Sequence, residues 1–433
     1  MPIESILSNA NSHGLALSEI DLSERGRESF EWARSHMPVL TLAGEHIRKK
    51  MGRKNVLHGL RLAACLHVSK ETSVLVNLLN SFGMKTRLVA ANPLSSQDGI
   101  AAFLKGEKID VRAQRGESVK QYESEILEAA KSKPDIIVDD GGELHVAYAQ
   151  TKIDSCIGGT DETTSGTVRL RALDAQGKLR YPAIPVNESR MKHLFDNRYG
   201  SGQSAIDGLI RATNLLLAGK IVVVLGYGWV GRGVAERSRG LGARVIVTEV
   251  DPTKALEALF EGFEVLTISE AAKIGDIFLT CTGQVHVISS MHFKNMKDGA
   301  ILGNVGHFDQ EIDVQSLRKL GRVERVGPNI EKLEFKFSGM RKKLFLLCQG
   351  RVINLVSAEG HPPEVMQLSF ANQLLSIYYL VANRNELAQR EKKVIAFPDE
   401  INSLVSSLAL EGFNLKIDSL NERQKKYGAS FIR

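Results

Sequence analysis

Five apolar residues, Ile221-Val222-Val223-Val224-Leu225, run directly into the hexapeptide GYGWVG, whose glycines are Gly226, Gly228 and Gly231. A second apolar stretch, Arg244 to Thr248, ends on an acid, Glu249, 18 residues beyond Gly231. Strand, tight turn, helix, strand and acid in this register admit few folds. Gly226 permits the turn, Gly228 lets backbone approach a pyrophosphate, and Gly231 lets the following helix pack close to the strand. The start of that helix offers free N–H groups and a partial positive charge to phosphate. A carboxylate at Glu249 accepts hydrogen bonds from a ribose 2′-hydroxyl and repels a 2′-phosphate, which selects NAD over NADP. A Rossmann domain is therefore predicted in the second half of the chain.

The chain has 433 residues, enough for two domains, and its 43% apolar and 24% charged content fits an ordinary globular protein. No apolar run is read as approaching the roughly 18–20 residues that span a bilayer, and no basic segment followed by an apolar one marks a leader. Cys65, Cys156, Cys281 and Cys348 are too scattered for metal-ligand spacing or a disulfide framework. No metal and a reducing, cytoplasmic location are expected. The net charge of +6 is interleaved with acids, which argues against nucleic acid as a partner.

The first half alternates strand and helix patterns, which predicts a parallel sheet. Strands are expected over 60–66, 86–91, 111–113 and 135–139. Helices are expected over 24–51 (interrupted at Pro38), 71–82 and 122–132. Helical character over 203–217 leads into the Rossmann unit, which continues through strands at 276–280, 300–303 and 351–354. A helix over 363–383 is predicted to return to the first domain, so the chain crosses between domains near 188–202 and near 358–362. Two crossings form a hinge, and a hinge lets a cleft close over substrate. The expected class is α/β, with two doubly wound parallel sheets joined by a two-strand hinge. The expected units are an extension over 1–22, a catalytic domain over 23–198, the Rossmann domain over 199–358, a return helix over 359–395 and a C-terminal segment over 396–433.

Lys192 precedes Asp196 by four residues, with Asn197 adjacent, so a helix would set the pair on one face. Around the dinucleotide motif lie CLH ending at His67, SSQD over 95–98, DDGG over 139–142, ETT over 162–164, FDN over 195–197, TEVDP over 248–252, GHFD over 306–309 and GHP over 360–362. In this order the chain resembles the adenosylhomocysteinase (S-adenosyl-L-homocysteine hydrolase) family from about Met37 to about Tyr427. The resemblance implies a tightly held NAD, a nucleoside substrate, and a homo-oligomer, dimer or tetramer. It implies hydrolysis of S-adenosyl-L-homocysteine by 3′-oxidation, elimination of the thiolate, addition of water and re-reduction.

Carried onto this sequence, the resemblance assigns Lys192 and Asp196 to the 3′-hydroxyl, with Lys192 neutral and its pKa lowered by burial. Asp196 and Glu162 hydrogen-bond the ribose hydroxyls, and His67 and Asp140 manage protons at C4′ and C5′. Asn197 and His307 bridge sugar and nicotinamide. Ser69, Glu71, Glu359, His361 and Met366 fall in the nucleoside pocket, where Glu71 and the backbone near His361 read the adenine edge. Gly226, Gly228, Val230, Gly231, Glu249 and Thr282 hold the cofactor. Thr163, Thr164, Ser165, Val305, Gly306 and Asn354 line its nicotinamide half.

Several positions depart from the family pattern. Ser201 stands where the family has cysteine, Glu359 where it has methionine, and Trp229 where it has an acid. Ala91 and Ser69 replace a cysteine and a threonine. The family's basic and aromatic C-terminal tail has no counterpart here. The proton-handling set is retained while the lining drifts. Two other readings therefore stay open: the same chemistry on a different nucleoside, as in a dehydratase, and a non-catalytic NAD-binding regulator.

Overall fold

The computed structural model describes residues 19–307, 309–391 and 393–430. Phe308 of the GHFD motif and residues 1–18 of the expected extension lie outside this set. Among the described residues the first sheet has six parallel strands: β1 (Arg61–Leu66), β2 (Lys85–Ala90), β3 (Asp110–Arg112), β4 (Ile136–Asp139), β5 (Gly158–Asp161) and β6 (Ala183–Pro185). Their order is β3-β2-β1-β4-β5-β6. The chain thus winds one way from β1 and the other way from β4, and a crevice opens at the carboxyl ends of that pair, where such sheets hold ligands. His67 follows β1 and Asp140 follows β4, so the topology delivers both to the crevice.

The second sheet contains β7 (Ile221–Leu225), β8 (Arg244–Thr248), β9 (Glu264–Val265), β10 (Ile277–Thr280), β11 (Ala300–Asn304), β12 (Arg322–Gly327), β13 (Ile330–Phe337) and β14 (Met340–Leu347). The order is β12-β13-β14-β11-β10-β7-β8-β9. Strands β7 to β11 pair only in parallel, β14 pairs in parallel with β11 and antiparallel with β13, and β12 pairs antiparallel with β13 to extend that edge. This sheet is mixed rather than wholly parallel, because β14 closes a hairpin with β13 before it joins β11.

Three sequence expectations need correction. Residues 351–354 do not form a strand: Val352 makes a single bridge to Asn304, and Ile353–Val356 is a helical turn. The first helix begins at Glu19, inside the expected extension. The segment Pro363–Ala382 is a 20-residue helix apolar enough by length and composition to cross a membrane, but it is mostly buried in protein. Leu368, Phe370, Ala371, Leu374 and Ile377 complete the first domain's core beside Val39, Leu40, Ala64 and Val138. Its buried polar groups are anchored: Gln367 accepts from the Val39 N–H, Asn372 accepts from the Ser189 hydroxyl, and Gln373 donates to Glu162. Burying each large apolar side chain contributes roughly 1.5–3 kcal/mol, so this helix ties the chain's return firmly to the substrate side of the cleft.

Candidate active site

The short helix Arg190–Lys192 does not continue as an α-helix, because residues His193–Gly200 adopt π-helical geometry. Wider winding brings position i+5 onto the face of position i, so Lys192 meets two partners in succession. Its Nζ lies 2.6 Å from Asp196 Oδ2 and donates to Asn197 Oδ1 at 2.8 Å. It also reaches Asn187 Oδ1 at 3.3 Å and stands 3.8 Å from Glu162 Oε1. Glu162 is held in turn by the Ser369 hydroxyl and by Gln373 Nε2 at 2.6 Å, both on the returning helix.

Here the structure overturns one expectation. Burial alone would strip the proton from Lys192, but the Asp196 and Glu162 carboxylates outweigh it and hold the amine above its ordinary pKa. Lys192 is an ammonium in this state. Burial pushes Glu162 up to about 7, opposed by Lys192. Asp196 is also buried, yet Lys192 and His361 hold it well below the usual carboxylate range.

Asp196 binds across the hinge. Its Oδ1 lies 2.6 Å from His361 Nδ1, and His361 Nε2 lies 3.1 Å from Ser201 Oγ and 3.3 Å from Asn354 Nδ2. His361 therefore contributes its side chain at the second crossing, tied to residues of the first. Gly200 makes this contact possible, since a Cβ there would stand 2.9 Å from His361 Nδ1.

The second cluster spans both domains. His67 Nε2 is 3.7 Å from Asp140 Oδ2, and His307 Nδ1 is 3.8 Å from Asp140 Oδ1. Ser95 of the SSQD motif fixes the ring of His67 through Nδ1 at 2.7 Å. Burial lowers His67 to about 4, against the pull of Asp140, and lowers His307 as well. Both rings are neutral near pH 7 and can accept protons. Gly141, at φ +114°, lets the domains approach closely here, because a Cβ on it would lie 2.4 Å from His307 Nε2. Asp140 Oδ1 is buried without a hydrogen-bond partner.

The cofactor cradle fits a dinucleotide. Gly226 has φ +98°, and a Cβ on Gly231 would lie 1.9 Å from Gly226 O, so turn and helix demand glycine. A Cβ on Gly228 would meet nothing within 4 Å, which leaves the space before the helix Trp229–Gly240 open. Glu249 accepts the Tyr227, Val250 and Asp251 N–H groups, which sets its carboxylate beside the turn. Thr282 packs against Gly226 and donates to Glu311, while Val230 lies half-buried on the helix. Trp229 stacks on His193 at 5.1 Å and Arg232 also lies over its ring, so it ties the cradle to the Lys192 segment. On the nicotinamide side, Thr163 caps the helix Thr164–Ala175, Thr164 accepts from Asn187, and Ser165 donates to Thr163. Val305 and Gly306 follow β11, where the Gly306 N–H donates to Asn304, and Asn354 donates to Ser204.

In the nucleoside pocket, Ser69 caps the helix Lys70–Ser81. Glu71 is buried with Oε1 lacking a hydrogen bond and 3.8 Å from Lys70 Nζ, and burial raises its pKa against the pull of that lysine. Glu359 is paired with Lys70 and stands 3.7 Å from Arg211, and the bond to Lys70 lowers its pKa. The methionine-to-acid change thus has a cationic partner in Lys70. Met366 packs on the first domain's core.

Sequence reasoning passed over Ser369 and Gln373, which orient Glu162. Their signal was polar residues four apart within an apolar helix. It also passed over Asp139, Asp161 and His145 beneath the site. Asp139 accepts the N–H groups of Asp140 and His145, and Asp161 accepts the Thr163 N–H. His145 contacts Tyr181 at 2.7 Å.

Comparison with known proteins agrees with this arrangement. Residues 15–153 match the family described as S-adenosyl-L-homocysteine hydrolase, and residues 197–360 match its NAD binding domain. An adenosylhomocysteinase from Sulfurisphaera tokodaii is 49% identical over 95% of this chain and 97% of its own length. Another from Aquifex aeolicus is 47% identical over 96% of this chain and 98% of its own. An S-inosyl-L-homocysteine hydrolase from Methanocaldococcus jannaschii is 44% identical over 94% and 97%. With two joined α/β domains, the glycine cradle and these relatives, the chain belongs to the S-adenosyl-L-homocysteine hydrolase family.

Proposed function

We propose that this chain hydrolyses S-adenosyl-L-homocysteine to adenosine and L-homocysteine by 3′-oxidation, elimination, water addition and re-reduction. The observation that carries the reading is the convergence of two proton-handling clusters at the carboxyl ends of both sheets, beside a cradle that fits NAD. NAD, which Gly226, Gly228, Gly231 and Glu249 would hold, would supply reversible hydride acceptance at C3′. Lys192, once deprotonated, takes the 3′-hydroxyl proton, while Asp196 and Glu162 hold the ribose hydroxyls. Oxidation of C3′ acidifies the C4′ proton, which the neutral His67 removes, with Asp140 orienting the ring. The thiolate then leaves C5′, and the same pair delivers water to the enone. Asn197 and His307 set sugar against nicotinamide, and closure around Gly141 keeps bulk water from the intermediate.

The test is thiol release from S-adenosyl-L-homocysteine, with NAD added and cofactor content measured. Free homocysteine supports the reading, and none with full NAD occupancy overturns it. A second reading, the same chemistry on another base, draws on the Lys70–Glu359 pair in the nucleoside pocket and on the S-inosyl relative. Running S-inosyl-L-homocysteine in parallel decides between the two by the ratio of kcat/KM. The regulatory reading predicts NAD binding with turnover of neither.

A further inference from the structure

The hydrogen bonds around His361 determine its tautomer. Asn354 Nδ2 can only donate, so His361 Nε2 accepts from it, and the ring proton sits on Nδ1, facing Asp196 Oδ1 at 2.6 Å. Ser201 Oγ, 3.1 Å from Nε2, serves either state, donating to a neutral ring or accepting from a charged one. Asn354 Oδ1 is buried without a partner, so rotating the amide presents an acceptor to Nε2 when it is protonated. The pocket therefore has groups for both charge states of one imidazole. The carboxylate of Asp196 stands between that imidazole and Lys192 Nζ, 2.6 Å from each.

We propose that His361 is a positioning residue which shares Asp196 with Lys192, so that a proton on the imidazole releases the lysine to act as base. The proposal rests on the function given above. Asp196 needs one cation beside it. With Lys192 as ammonium the ring is neutral. With the ring as imidazolium, Lys192 is a neutral amine at the same net charge. Passage between these states takes one proton off Nζ and puts one on Nε2, the ring's free nitrogen beside Ser201 and Asn354, by exchange with solvent, and no bond other than N–H changes. The free Nζ lone pair then takes the proton of the sugar's 3′-hydroxyl as its hydride leaves for the cofactor, and the return step gives that proton back. The hydroxyl of Ser201 can donate or accept, so it partners a ring that alternates in this way.

The other charges near the ring are Glu162 beyond Lys192, His67 after β1, and Glu359 at the second crossing with its partner Arg211. The decisive measurement follows the His361 ring by NMR of histidine-labelled, NAD-bound protein without substrate. Lys192→Met removes the competing cation, so the His361 midpoint rises by about one pH unit or more. An unchanged midpoint overturns the proposal, whether or not the protein hydrolyses S-adenosyl-L-homocysteine. The kinetic counterpart is the pH profile of NADH formation on rapid mixing with substrate. His361→Asn keeps a donor to Asp196 but cannot carry charge, so its rising limb moves up by about one pH unit, a tenfold loss below the limb. Ser201→Ala, a milder change at the same ring, moves the limb the same way by less. A lower plateau with the limb in place, in both variants, shows a structural role and overturns the proposal. Absence of NADH in the wild type refutes the assigned function instead, and leaves the ring titration as the independent test.

Discussion

The two proton-handling clusters are built on different principles. Around Lys192 the groups are in direct contact at 2.6–2.8 Å, within one continuous π-helical segment braced by the returning helix. Around Asp140 the spacings are 3.7 and 3.8 Å, and His307 arrives from the other domain. The first is built by local backbone geometry within one segment and its brace. The second depends on how the two domains meet. On the roles proposed above, oxidation draws on the locally built cluster, and elimination and water addition on the one that both domains assemble.

The largest expected effect tests the standing cluster. Lys192→Ala removes the base, and both NADH formation and thiol release fall by about a thousandfold while NAD content is unchanged. NADH formation at the wild-type rate would break the distinction. Gly141→Ala tests the assembled cluster. A methyl group 2.4 Å from His307 Nε2, on a backbone at φ +114°, forces the domains apart. Displacement of this size costs about a hundredfold in thiol release. Exchange of the 3′-proton chemistry at Lys192, read as NADH formation, suffers less, and equal losses would show that both clusters need closure.

A pH series sharpens the contrast. Since burial holds His67 near 4, its basic form is complete at neutral pH and is lost only as pH falls through about 4. Thiol release should hold through pH 5 as far as this group governs it, then decline tenfold per unit below 4. A limb near 6.5, the ordinary histidine value, would mean that the ring is solvated in the working state. The smallest effect belongs to Glu359→Gln. Glu359 is 56% exposed, so losing its pairing to Lys70 and Arg211 costs less than about 1 kcal/mol, and the change in KM fades at high salt.

Legibility followed the same division. The Rossmann strands β7 and β8 coincide with the predicted runs, since unbroken Val and Ile flanked by glycine have one reading. Strands β5 and β6 escaped, because Gly158-Gly159-Thr160-Asp161 and Ala183-Ile184-Pro185 are short and lack a β-branched run. The hairpin β12–β13 escaped because Arg322–Gly327 is almost wholly exposed and carries no apolar alternation. At the site, motif order pointed to Glu162, Asp196 and Asn197 around Lys192, but not to Asn187, which accepts from the lysine, or to the bracing Ser369 and Gln373. The charge on Lys192 was misjudged, since sequence spacing does not reveal that two carboxylates outweigh desolvation.

The π-helical winding of His193–Gly200 has a consequence for how this enzyme tolerates length changes. The segment runs without a break into the helix Ser201–Thr213, which carries the chain into the second domain. Deleting one residue there would let the winding relax to α, and the tighter turn of the remaining residues would offset the lost one, so the helix beyond keeps its course. The damage of a single lost codon would thus fall on the amine, which loses one of its two successive partners, rather than on the placing of the second domain.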